Sequence, residues 1–218
     1  MRTLLKAVLL ASVFTTVLTG CQSAYYAAWE KVGVEKRDIL VDRVENAKDS
    51  QEDAQEEFSS ALEQFSALIN FDGGELEDIY DDLNAQYEAS QSAADKVSDR
   101  INSVESVAEA LFDEWQQELE QYTNATYRRN SEQQLRQTKL RYGKLIRAMR
   151  NAEKTMQPVL SALQDNVLFL KHNLNASAIG ALQGELGQIE KEVAVLIKEM
   201  KESIAVSDAF IAEMNNGN

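Results

Sequence analysis

The chain has 218 residues, with 36 acidic and 22 basic side chains, a net charge of −14, and a single cysteine, a single histidine and a single proline. That acid excess argues against nucleic acid or an anionic membrane as the main partner of the chain. One cysteine excludes an internal disulfide, and one cysteine with one histidine excludes a zinc or haem site built from those residues within one subunit.

Residues 1–20 have the anatomy of an export signal. Arg2 and Lys6 form a positive start, and Ala7 to Leu18 is an apolar run interrupted only by Ser12, Thr15 and Thr16. The run is shorter than the roughly 20 residues a membrane-spanning helix needs. Leu18-Thr19-Gly20-Cys21 follows at once. It resembles the lipobox of bacterial lipoproteins, whose cysteine is diacylated on sulfur and acylated on its new amino terminus. Cys21 is therefore the expected lipid anchor, since several acyl chains hold a protein where one does not. Gln22 and Ser23, with no Asp after the cysteine, imply by the same resemblance an outer-membrane protein facing the periplasm. Loss of residues 1–20 removes Arg2 and Lys6 and leaves a net charge of −16.

Residues 21–33 are read as the anchor and membrane-proximal segment. Tyr25, Tyr26 and Trp29 lie within it, suited either to the lipid headgroup region or to capping the bottom of a core. From residue 34 to 214 the pattern is helical throughout, with nine glycines and one proline in the whole chain. Leu40, Val44, Ala47, Gln51, Ala54, Phe58, Ala61, Phe65 and Leu68 alternate in steps of four and three, a heptad seam with Gln51 as its polar member. Asn70-Phe71-Asp72-Gly73-Gly74 breaks it.

A second seam runs from Leu76 through Tyr80, Leu83, Tyr87, Ser90 and Val97 to Trp115. Thr123-Asn124-Ala125-Thr126 reads as the next turn, with Ser131 and Gln134 offering a capping box for the third helix, which could also begin a turn earlier. The third seam runs from Leu135 through Thr138, Tyr142, Met149 and Asn166 to Leu170. Pro158 lies inside it, where a kink costing about 3 kcal/mol is expected and not a boundary, because the heptad phase continues. His172-Asn173-Leu174-Asn175 is the last break, and Ile179 to Met214 form the fourth seam. Residues 215–218 read as a frayed tail.

These seams predict an all-α fold, an elongated antiparallel four-helix bundle with coiled-coil heptad packing. A three-helix bundle with the first helix elsewhere is the alternative. Charge supports the four-helix order. Residues 22–125 hold 26 acids and seven bases, whereas residues 126–154 hold nine bases against Glu132 and Glu153. The basic third helix is read as neutralising the acidic hairpin, with its bases facing all sides away from the seam, rather than as a nucleic-acid or lipid-phosphate patch.

No catalytic motif stands out. Asp72, Glu75, Glu77, Asp78, Asp81 and Asp82 cluster without the ligand spacing of a calcium loop, and carboxylates suit a helix start. No metal or other cofactor is expected, and the chain is read as a non-enzyme; a metal-dependent enzyme using the acidic tip is the lower-ranked alternative. In an up-down-up-down bundle the first and third turns meet at the end away from the anchor. Phe71, Asp72 and Glu75 would then lie beside Lys171, His172 and Asn173, a mixture suited to binding another envelope protein. His172 could equally cap the carbonyls of the third helix. Homo-oligomerisation is left open.

The chain resembles a family of bacterial proteins known only as domain of unknown function 2959. The resemblance is carried by Cys21-Gln22-Ser23-Ala24-Tyr25-Tyr26, Lys36-Arg37-Asp38-Ile39-Leu40-Val41, Phe71-Asp72-Gly73-Gly74-Glu75, Val104 to Phe112, and Val167 to Asn175. It implies an envelope protein or lipoprotein and supplies no activity.

Overall fold

The computed structural model describes residues 35–69, 76–173 and 176–216. The signal segment, Cys21, Tyr25, Tyr26, Trp29, Phe71, Asp72, Gly73, Gly74, Glu75 and Asn175 lie outside them. Four helices make up the fold: α1 (Lys36–Ile69), α2 (Leu76–Glu118), α3 (Ala125–His172) and α4 (Ala176–Asn216). With 34 to 48 residues each, they extend roughly 50–70 Å at 1.5 Å per residue.

The seams become the core. All nine α1 seam residues are buried, with Phe58 and Phe65 fully enclosed; cutting either back to Ala would cost about 3–5 kcal/mol. Tyr80, Tyr87, Trp115, Tyr142 and Leu186 are half-buried at the rim of the seams. The helices form a ring in which α1 packs on α2, α2 on α3, α3 on α4 and α4 on α1. This excludes the arrangement with the first helix elsewhere.

Cross-helix bonds fix the directions. Lys36 reaches Glu114 at 3.0 Å and Lys96 reaches Asp53 at 2.7 Å, so α1 and α2 are antiparallel. Trp115 Nε1 donates to Ser131 Oγ at 2.8 Å, and Arg150 Nε to Glu105 at 3.3 Å, so α2 and α3 are antiparallel. Lys48 pairs with Asp208 at 3.2 Å between α1 and α4. The pair Arg141–Glu213, at 2.8 Å, joins the start of α3 to the end of α4. The start of α1 therefore shares one end of the bundle, the near end, with the α2–α3 turn and the end of α4.

Two details depart from the sequence reading, and Pro158 follows it in setting no boundary. Helix α3 starts at Ala125, with Asn124 as its N-cap; Asn124 Oδ1 accepts from the backbone N–H of Thr126 at 2.8 Å and of Tyr127 at 3.3 Å. Ser131 is thus inside the helix, and its hydroxyl serves Trp115 instead of a capping box. Helix α4 continues through Asn215 and Asn216, since backbone helix bonds need no apolar side chain beneath them. Pro158 lies on the exposed side of an unbroken α3 with Met156, Val159 and Leu160 buried around it.

Candidate recognition site at the far end

The far end gathers the end of α1, the start of α2, the end of α3 and the start of α4. The last turns of α3 read Val167-Leu168-Phe169-Leu170-Lys171-His172. Consecutive helical residues are about 100° apart, so a helix with one packed face cannot bury four in a row. Val167 and Leu170, three apart, take the core; Leu168 stays 52% exposed and Phe169 40% exposed. Lys171 and His172 follow, both exposed.

Asn173 closes the helix. Its backbone N–H donates to the carbonyl of Leu170 and its side-chain Nδ2 to the carbonyl of Phe169, both at 2.9 Å. The capping role offered to His172 therefore belongs to Asn173, whose short amide can fold back onto the last turn. His172 is left on the surface beside the two apolar side chains. Of the expected tip, Lys171, His172 and Asn173 lie together on α3, whereas Phe71, Asp72 and Glu75 are outside the described residues. Leu168 and Phe169 were missed as site residues, although the unbroken four-residue apolar run was their signal.

On α2, Glu77, Asp78, Asp81 and Asp82 line the first turns at the surface, with Glu77, Asp78, Asp81 and Asp82 all exposed or nearly so. No group of three or more His, Cys, Asp or Glu among the described residues is placed to hold a metal ion.

The family described as protein of unknown function DUF2959 matches residues 25–214. The chain belongs to this family. No curated protein matches it. The DUF2959 match takes in all four helices except the last two residues of α4.

At the near end of this DUF2959 bundle a cavity of about 400 Å³ is lined by residues of every helix, among them Arg37, Leu111, Trp115, Thr138, Arg141 and Met214. Of its two arginines, Arg141 is engaged by Glu213. Next to it, Tyr142 stacks edge-on against Phe112, with ring centroids 5.4 Å apart at 71°. Burial, reinforced by the charge of Glu105, pushes the Tyr142 phenol up to about 12. Arg150 is held more firmly protonated than usual, chiefly by its hydrogen bond to Glu105 and also by Glu153. Both groups serve the α2–α3 contact.

Proposed function

We propose that this protein is a lipid-anchored helical bundle of the bacterial envelope, tethered through Cys21 to the outer membrane and facing the periplasm, which binds another envelope protein through its far end. The role is structural or adaptor-like rather than enzymatic. The observation that carries the recognition reading is the pair Leu168 and Phe169, adjacent and exposed at the end opposite to the start of α1, with Lys171 and His172 beside them. Single exposed apolar residues need no explanation, but an aromatic and a leucine side by side next to a cation form the kind of anchor that protein interfaces use. The lipobox-like Leu18-Thr19-Gly20-Cys21 after an apolar run supports the tether.

Crosslinking in intact cells tests the recognition site. Phe169→Ser with Lys171→Ala and His172→Ala should abolish crosslinked partners and leave the melting temperature nearly unchanged, because these side chains are exposed. Surviving crosslinks would remove the far end from consideration. The tether has its own test. Cys21→Ser should eliminate the outer-membrane fraction, and unchanged fractionation would refute the anchor.

A further inference from the structure

The nine bases of residues 126–154 do not face all sides equally. Three reach across to neighbouring helices. Arg150 bonds Glu105 and, at 2.7 Å, Asn102 on α2. Arg141 pairs with Glu213 on α4, and the Lys139 ammonium lies 5.5 Å from the centre of the Phe112 ring. Five of the others, Arg129, Arg136, Lys144, Arg147 and Lys154, succeed one another with Leu140 in steps of three, four or seven, and all six are exposed. On a helix of 3.6 residues per turn that spacing places them on one outward stripe, about 38 Å long. No acid lies on the stripe. Glu132 stands at its edge and pairs with Arg136 at 2.9 Å.

We infer that this outward stripe of α3 is a lipid-apposed surface that binds anionic phospholipid headgroups. Bases placed only to offset the acidic hairpin would turn towards α2, as Arg150 does. Like charges one turn apart on a helix repel, and an anionic surface relieves that repulsion. Leu140, in the middle of the stripe, is 70% exposed. An exposed leucine among arginines and lysines suits a helix face that lies against a headgroup layer.

The stripe belongs to the half of α3 at the near end, the end from which the segment carrying Cys21 precedes α1. The acids of α1, diagonally across the bundle, are more than the roughly 10 Å screening length of 0.1 M salt away. Of the acids on the adjacent helices, Glu105 of α2 and Glu213 of α4 are engaged by Arg150 and Arg141, while the stripe points away from both helices and presents a locally positive face. The bundle would lie over the membrane on α3, with its far end presented along the surface.

The inference rests on the proposed tether for its nearness to a membrane, and the test is built to fail separately. Residues 21–218 with Cys21→Ser retain every described helix and carry no acyl chain. They should co-sediment with vesicles of phosphatidylethanolamine and phosphatidylglycerol at about 50 mM salt, be released at about 500 mM, and bind phosphatidylcholine vesicles far less. A basic side chain near such a surface is worth roughly a factor of five in partitioning. Neutralising Arg129, Lys144, Arg147 and Lys154 to Gln should therefore weaken binding at least tenfold with an unchanged circular-dichroism melt. Neutralising Lys191 and Lys201 of α4 should leave binding as it was. Absence of binding to the anionic vesicles, an unaffected α3 variant, or equal loss in the α4 variant overturns the inference. So does a stripe that ignores vesicles yet is required for crosslinking to an acidic protein. None of these outcomes touches Cys21, which the fractionation experiment decides.

Discussion

Ser203 Oγ donates to Gln51 Oε1 at 2.9 Å, and both side chains are completely buried. This bond joins α4 to α1 in mid-bundle, where Gln51 is the single polar residue of its seam. Gln51 Nε2 has no partner there. An unsatisfied buried donor costs about 1–3 kcal/mol, whereas replacing both partners by apolar groups of similar shape is close to neutral or better. Gln51→Leu with Ser203→Ala should therefore raise the urea midpoint, and Ser203→Ala alone should lower it by removing the bond that Gln51 Oε1 accepts. A double variant less stable than wild type would show that the polar pair contributes net stability. Retention of such a pair against its cost fits a register device, because a polar seam residue penalises misaligned pairings.

Helix starts give a second prediction. Asn124→Ala removes two capping bonds and should cost about 1 kcal/mol. Ser131→Ala should cost a comparable amount for a different reason, since it leaves the Trp115 indole N–H without its acceptor. Tryptophan fluorescence separates the two: it should shift in the Ser131 variant and stay unchanged in the Asn124 variant. An Asn124→Ala protein as stable as wild type would contradict the cap.

The contrast between Asn124 and Ser131 shows where the sequence stops being sufficient. The seams were legible because burial on one helix face needs only a 3.5-residue period, and Leu40 to Leu68 carry it without a gap. The start of α3 was not, because Ser131 and Gln134 satisfy the capping spacing, and only the position of Trp115 on another helix shows what Ser131 does. The same holds for the bases of α3. Which of them face a neighbour depends on the order of helices around the ring, and sequence spacing alone put them on every side. At the far end periodicity named the buried Leu170, while the exposure of Leu168 and Phe169 followed from which face of α3 its two neighbours cover.

Tyr142 predicts a stability change at high pH. Its phenol is pushed up to about 12, first by burial and then by the charge of Glu105, against about 10 in an unfolded chain. The folded state thus holds its proton more tightly. The stabilising contribution is fully present below about pH 10 and is lost as pH rises through about 12. Tyr142→Phe keeps the edge-on contact with Phe112 and removes the proton. Between about pH 9 and 12 the variant should lose less stability than wild type, measured as the difference in urea midpoint. Parallel curves for the two proteins would refute the assignment, because every other titrating group is common to both.

Pro158 supplies the last prediction. It is exposed within α3, so its ring fills no part of the core, and it lacks the N–H that would bond the carbonyl of Lys154. Proline in a helix interior is about 3 kcal/mol less favourable than alanine. Its neighbours Met156, Val159 and Leu160 keep the seam phase on both sides, so alanine should enter without moving the core. Pro158→Ala is therefore expected to raise stability by about 1–3 kcal/mol, the lower figure applying where α3 has already adjusted around the missing bond. Amide hydrogen exchange gives the local readout: the backbone N–H gained at this position, donating to the carbonyl of Lys154, should be protected to the level of global unfolding. A lower urea midpoint, or rapid exchange at that amide, would show that the bundle is packed around the proline. Pro158 also separates the basic stretch ending at Lys154 from the exposed Leu168 and Phe169, so the variant carries a functional expectation as well. Vesicle binding by the stripe should be unchanged, because Arg129 to Lys154 all lie on one side of the substitution.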